Sequence, residues 1–329
     1  MGYTLDDKLV IGIASSALFD LGESDRVYRE QGIEAYRAHQ RAHESEILGE
    51  GVAFPFVRRL LALNPSSQER LVEVVLLSRN DPDTGLRVFN SIEAYGLDIS
   101  RGGFLGGREP FRFMESFRCA LFLSNHEPDV RDAIARGYPA GLVVDTSRGD
   151  DRDDDELRIA FDFDGVIVDD EAETIFQKDG VESFHAHESA RADFAHNPGP
   201  CKELLERIAM LQRRLGPESK LRVSIVTSRD APAHKRVITT LREWGIRVDE
   251  MLLLGGVSKQ EFLEELRPHI FFDDQERHLA GAVPSVHVPF GRLNQRSSID
   301  NVTPLPSKRK AASPQDGGPK RPRASREKP

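Results

Sequence analysis

Two carboxylates two residues apart, Asp162 and Asp164, are the side chains of this 329-residue chain most clearly suited to chemistry. They follow the apolar run Ile159-Ala160-Phe161, and Gly165 after them permits a sharp turn. In a continuing strand the two acids would share one face. Two dry carboxylates repel each other unless a cation neutralises them, so the pattern asks for a metal. An acidic strand end fraying into solvent is the alternative on this pattern alone. Three more groups stand at the ends of apolar runs downstream. Thr227-Ser228-Arg229 follows the run from Val223, Lys259 follows Leu254-Gly255-Gly256-Val257-Ser258, and Asp273-Asp274 follows His269-Ile270-Phe271-Phe272. Open α/β sheets place their sites beyond the carboxyl ends of the strands, which would bring all four groups to one edge.

The elements that must position them alternate. Strand-like runs at Lys8–Ala14, Val72–Leu77, Phe104–Gly107 and Ala120–His126 are separated by segments of helical spacing, and the order recurs from Leu157 onward. This predicts an α/β fold with a parallel sheet. Ile11–Phe19 matches Ile159–Ile167 at an offset of 148, and Leu77-Ser78-Arg79 matches Thr227-Ser228-Arg229 at 150. Tyr95-Gly96, Leu105–Gly107 and Leu121-Phe122 match Trp244-Gly245, Leu254–Gly256 and Ile270-Phe271 at 149. Five matches in order imply a tandem duplication, with copies at 1–146 and 157–292. Ala14 and Ser16 stand where the second copy has Asp162 and Asp164, and Ser124 and Asn125 stand for Asp273 and Asp274. The first copy therefore reads as a scaffold. The charge run 147–156 is expected to be a solvated acidic linker, and 293–329 a disordered basic tail.

Composition excludes several classes. Hydrophobic residues at 39% and charged residues at 30% suit a soluble globular protein. No apolar run approaches the ~20 residues that span a bilayer, and no signal-peptide pattern opens the chain. Cys119 and Cys201 form no framework, so a reducing cytoplasm is expected. Net charge is −9; from Ser307 onward eight Lys/Arg face two acids, a surplus of six that leaves −15 on the rest. An acidic body argues against specific nucleic-acid binding. Lys308–Lys310 and Lys320–Arg323 have the look of a two-part nuclear import signal, although a solvated tail with weak polyanion affinity is the preferred reading.

The four motifs in this order resemble the haloacid dehalogenase (HAD) superfamily of phosphotransferases. Over roughly residues 8–292 the chain further resembles the cytosolic type I 5′-nucleotidases. That closer likeness rests on Tyr28–Ile33, Ala53–Val57, Arg87–Ile92, Leu241–Gly245 and Arg267–Gln275. Gly165 departs from the Ala that vertebrate members carry after the second Asp. The resemblance implies tandem Rossmann-like units, a Mg²⁺ cofactor, a nucleoside monophosphate substrate with AMP preferred, and oligomers that respond to nucleotides.

It also implies roles. Asp162 would be the nucleophile, and Asp164 would protonate the leaving oxygen and then activate water. Thr227 would bond the transferring phosphoryl group, Lys259 would offset its charge, and Ser228 and Arg229 are either phosphate contacts or a turn hydroxyl and a surface ion pair. Asp162, Asp164 through its carbonyl, Asp273 and Asp274 would hold the metal. The insertion Asp169–Pro200 sits where the superfamily places a cap over the site. Phe184 or Phe194 could stack on a base, and His187 or Glu188 could bond its edge, with cap core as the alternative for each. A zinc site of His185, His187 and His196 is rejected for lack of cysteines or supporting partners. Two other functions remain open: a phosphatase for a sugar phosphate or other small phosphoester, and a non-catalytic nucleotide sensor.

Overall fold

Apolar runs without polar alternation must be covered on both faces, and the computed structural model covers them within one ten-stranded sheet flanked by helices. It describes residues 3–66, 68–144, 150–279, 281 and 283–295. The strands are β1 (Leu9–Ile13), β2 (Val72–Ser78), β3 (Arg101–Phe104), β4 (Leu121–Ser124), β5 (Ala140–Val144), β6 (Leu157–Phe161), β7 (Leu221–Thr227), β8 (Glu250–Leu253), β9 (Ile270–Asp273) and β10 (Ser285–His287). The helices used below are α1 (Gly22–Ala42), α2 (Phe54–Ala62), α3 (Leu86–Ala94), α4 (Glu127–Ala135), α5 (Glu171–Ala190), α6 (Lys202–Leu215), α7 (His234–Glu243) and α8 (Gln260–Leu266).

The strand order is β8-β7-β6-β9-β10-β5-β4-β1-β2-β3. Every neighbouring pair is parallel except β10 with β5, where His287 lies opposite Leu142. Counted outward from that antiparallel joint, one side runs β5-β4-β1-β2-β3 and the other β10-β9-β6-β7-β8, the same order of elements. Because the joint is itself a strand pair, both groups share one sheet, and residues 1–295 form one compact unit.

The loops correspond as well. Leu105 N donates to Ser78 O at 3.0 Å and Leu254 N to Thr227 O at 2.9 Å. Gly106 N reaches Asn80 O, and Gly255 N reaches Arg229 O, both at 3.1 Å. Ser78 therefore occupies the place of Thr227, and Asn80 that of Arg229. The motif offset is 149 rather than the expected 150; the Ser-Arg dipeptides that suggested 150 sit one residue apart in the two frames. Helices α1 and α5 each break at an internal glycine, Gly32 at φ 82° and Gly180 at φ 81°. A side chain there would meet the left-handed penalty, so the sequence itself installs both kinks.

One expectation is corrected. The acidic segment is solvated only in part where it is described: Asp151, Arg152, Asp153 and Asp155 are exposed, but Asp150 and Asp154 are drawn against the fold. The Asp150 side chain is 7% exposed and ion-paired with Arg58 at 2.7 Å and Arg59 at 2.6 Å, both on α2. Arg59 also donates to Asp154 O at 3.0 Å, and Asp154 pairs with Arg158 at 2.5 Å. A buried guanidinium needs acceptors, and the acidic run supplies them. Residues 147–149 and the basic tail from 296 lie outside the described residues. Among the described residues no helix is long and apolar enough to cross a membrane.

Candidate active site

Strand β6 ends at Phe161, so Asp162 and Asp164 leave the sheet in a tight loop rather than sharing a strand face. Asp162 N donates to Phe272 O of β9 at 2.7 Å, continuing the ladder by one bond. Phe163 O then accepts from Ile167 N and Val168 N, reversing the chain. Gly165 makes the turn at φ +72°, and a Cβ there would lie 2.6 Å from Asp274 Cγ. The loop thus sends the two acids in different directions, Asp162 towards Lys259 and Asp164 towards Arg229.

Asp162, Thr227 and Asp273 stand at or just past the carboxyl ends of β6, β7 and β9, three adjacent strands. All three are buried. Lys259, the residue preceding α8, places Nζ 2.9 Å from Asp162 and 2.7 Å from Asp273. Burial alone would lower its ammonium, but these two carboxylates outweigh that and hold it above its ordinary value. Burial pushes Asp162 up to about 7 against the attraction of Lys259. Asp273 is held below the carboxylate range: burial opposes this, and Lys259 and the His278 ring at 3.0 Å overcome it. Thr227 is buried, and its Oγ1 accepts from Arg229 N at 3.2 Å.

Asp274 is different. Burial, with the neighbouring Asp162 and Asp273 charges, pushes it up to about 9. Its Oδ1 finds no hydrogen-bond partner among the described residues, while its carbonyl is fixed by Asn294 Nδ2 at 2.9 Å. A bare buried carboxylate oxygen beside a second carboxylate fits a hard divalent cation. Ligating oxygens and nitrogens of Asp162, Asp273 and His278 also lie within 4.8 Å of one another. Asp273, however, already accepts from Lys259 and His278. Lys259 contacts Asp162 in the same way, so Asp162, Asp273 and Asp274 are all candidates to hold a metal, and Gly165 lets Asp274 approach the loop closely.

Asp164 is spent elsewhere. Arg229 Nε and Nη2 donate to its two oxygens, each at 2.7 Å. Arg229 Nη1 donates to Glu188 on α5, and Nη2 also lies 3.0 Å from His196 Nε2. The guanidinium lies between the Phe163 and Phe184 rings, 5.2 and 5.3 Å from their centres. Glu188 further accepts from Arg236 of α7 at 2.8 Å. Arg229 is thus neither a surface ion pair nor free to meet a phosphate.

Other expectations shift similarly. Phe184 is 8% exposed, packed with Ala172 and Ala233 and faced by Arg229, so no open face is left for a base. Phe194 is 67% exposed. Glu188 is fully enclosed by the two arginines and His196, not aimed at a ligand. His187 is half-buried, 3.6 Å from Glu171. Ser228 is exposed. The sequence reading missed Arg236, Thr240 and His278, and it considered His196 only as a metal ligand. A usable signal for the acid was the repeat itself, since Glu188 stands at an offset of 148 from the neutral Gln40.

Comparison with known proteins agrees with the geometry. Residues 1–295 match the 5′-nucleotidase family model. The chain is 33% identical over 289 residues to human cytosolic 5′-nucleotidase 1B, which covers 84% of this chain and 47% of the relative. The chain therefore spans about half the length of the curated relative it matches. No solved structure matches it. A family match across the whole described chain, joined to the motif residues at one sheet edge, places this chain in the 5′-nucleotidase family.

Proposed function

We propose that the chain is a phosphomonoester hydrolase that converts nucleoside 5′-monophosphates, AMP first among them, to nucleoside and phosphate. The observation that carries this is the convergence of Asp162, Thr227, Lys259, Asp273 and Asp274 at one sheet edge in a member of this family. Asp162 Oδ attacks phosphorus as the P–O5′ bond breaks, giving an aspartyl-phosphate. Asp164 gives its proton to the leaving oxygen, then takes one from the water that hydrolyses the intermediate. Lys259 orients Asp162 through their 2.9 Å contact, and Thr227 Oγ1 bonds the transferred phosphoryl group. Asp162, Asp273, Asp274 and the Asp164 carbonyl would hold Mg²⁺, which when bound would neutralise the phosphate dianion.

In this reading residues 1–146 are a scaffold copy and 157–292 the catalytic copy. The shared strand order and the matched glycine kinks support that division. Segment 169–200 would be the cap, with the exposed Phe194 rather than Phe184 at the base. The name of the human relative supports a cytosolic location. The test is phosphate release from nucleoside monophosphates and sugar phosphates, with and without Mg²⁺, in the wild type and Asp162→Asn. Turnover of nucleotides that Asp162→Asn abolishes without loss of fold is expected. Preference for a sugar phosphate, or an active Asp162→Asn, would refute the substrate or the nucleophile respectively.

A further inference from the structure

We infer that Arg229 is a positioning residue for Asp164, anchored by Glu188, so that helix α5 sets where the acid/base carboxylate stands. The inference rests on the role proposed above for Asp164. Both Asp164 oxygens are held by one guanidinium, so Asp164 must release at least one of them to reach a leaving oxygen. The other side of the guanidinium is bound to Glu188, which ties α5 to α7 through Arg236. Movement of α5 therefore pulls on Arg229, and through it on Asp164.

His196 completes the anchor: its Nδ1 lies 2.9 Å from Thr240 Oγ1, and its Nε2 lies 3.0 Å from Arg229 Nη2 and 3.1 Å from Glu188 Oε2.

The chain carries its own control for a purely structural role. Around β1–β5 the same frame is built without the charges of Arg229, Glu188 and Asp164. Leu48 N donates to Ser91 Oγ at 3.0 Å, as His196 N does to Thr240 Oγ1 at 3.1 Å. Arg87 donates to Gln40 at 3.1 Å, as Arg236 does to Glu188 at 2.8 Å. Arg37 pairs with Asp81 at 2.8 Å, as His185 does with Asp230 at 2.7 Å. Yet Asn80 stands for Arg229, Gln40 for Glu188 and Ser16 for Asp164. The frame closes with neutral groups: Tyr36 donates to Asn80 at 2.9 Å and accepts from Gln40 at 3.1 Å, while Ser16 turns to Asn125. A strut needed for folding would be charged in both places. The Arg–Glu pair instead occurs only where there is a carboxylate to hold.

The experiment compares kcat/KM for a nucleoside monophosphate and for 4-nitrophenyl phosphate. The alkyl ester needs a proton on its leaving oxygen, whereas nitrophenolate leaves largely unaided, so the ratio reads the acid. Arg229→Asn copies the neutral frame. It should lose about 10- to 100-fold more on the nucleotide than on the aryl ester, a part of the ~10²–10⁴ a general acid supplies. In an Asp164→Asn background, Arg229→Asn should add no further change in that ratio. Equal losses on both esters, or an additional ratio change in that background, would overturn the inference. Should Arg229→Asn not fold, Glu188→Gln must shift the ratio in the same direction by about 3- to 10-fold, part of the same acid contribution; an unchanged ratio would refute the coupling. If the wild type spares nucleotides but hydrolyses a sugar phosphate, the substrate proposal fails, and that alkyl ester takes the nucleotide's place in the same comparison.

Discussion

Asp274→Asn tests the most exposed step in the reasoning, that one buried carboxylate waits for a cation. Without metal, Asp274 is pushed up to about 9 from an ordinary 3.8. Folding at pH 7 then requires it to take up a proton across about three pH units. At 1.36 kcal/mol per unit this costs up to about 4 kcal/mol. The sign follows from proton binding. Between pH 3.8 and 9 the folded state keeps the proton and the unfolded state does not, so stability is full at the acid end and falls as pH rises. Asparagine keeps the shape and removes the charge.

Urea unfolding in EDTA at pH 5, 6, 7 and 8 reads this directly. At pH 7 Asp274→Asn should raise the midpoint by roughly 1 M, taking a slope near 3 kcal/mol per M, and the gain should grow with pH. Mg²⁺ should act in the opposite way. At about 100 times its dissociation constant it stabilises the wild type by roughly 2.7 kcal/mol, and most of that should vanish in Asp274→Asn. Parallel stability–pH curves for the two metal-free proteins would refute the claim that Asp274 is the uncompensated acid. Undiminished Mg²⁺ stabilisation of the variant would refute its role as ligand.

Four further outcomes are expected. Phe184→Ala should destabilise by about 3–5 kcal/mol, because the ring is packed in the α5 core. Phe194→Ala should leave the unfolding free energy within about 0.5 kcal/mol of wild type while selectively lowering kcat/KM for AMP relative to an aryl phosphate; an unchanged ratio would remove Phe194 from base recognition. Ser16→Ala and Ser124→Ala should leave kcat for phosphate release within a few-fold of wild type, and a thousand-fold loss with normal stability would show chemistry in the first strand group. His269, buried and pushed down to about 4 by desolvation and by Arg59 and Arg158, should cost stability as pH falls from 6.5 towards 4. His269→Asn, which still offers an acceptor to Arg158 N, should flatten that part of the denaturation–pH curve, and an unchanged slope would contradict it.

Much was legible from residue order alone. The fully apolar runs at Leu9–Ile13, Ile159–Phe161 and Ile270–Phe272 require a sheet covered on both faces, and motif residues after such runs fall at one edge of it. Gly165 announced a turn and makes one at positive φ. These are local or periodic properties, set by a residue and its near neighbours. What the order of residues could not decide was which charge meets which. Asp162 and Asp164 are two apart, yet the loop sends one to Lys259 and the other to Arg229, 65 positions away. Asp150 looked solvated until α2 supplied Arg58 and Arg59. Phe184 could have faced a ligand until Ala172, Ala233 and Arg229 enclosed it. Coulomb energy and desolvation depend on distance and burial, and both are properties of the packed chain that spacing along it does not carry.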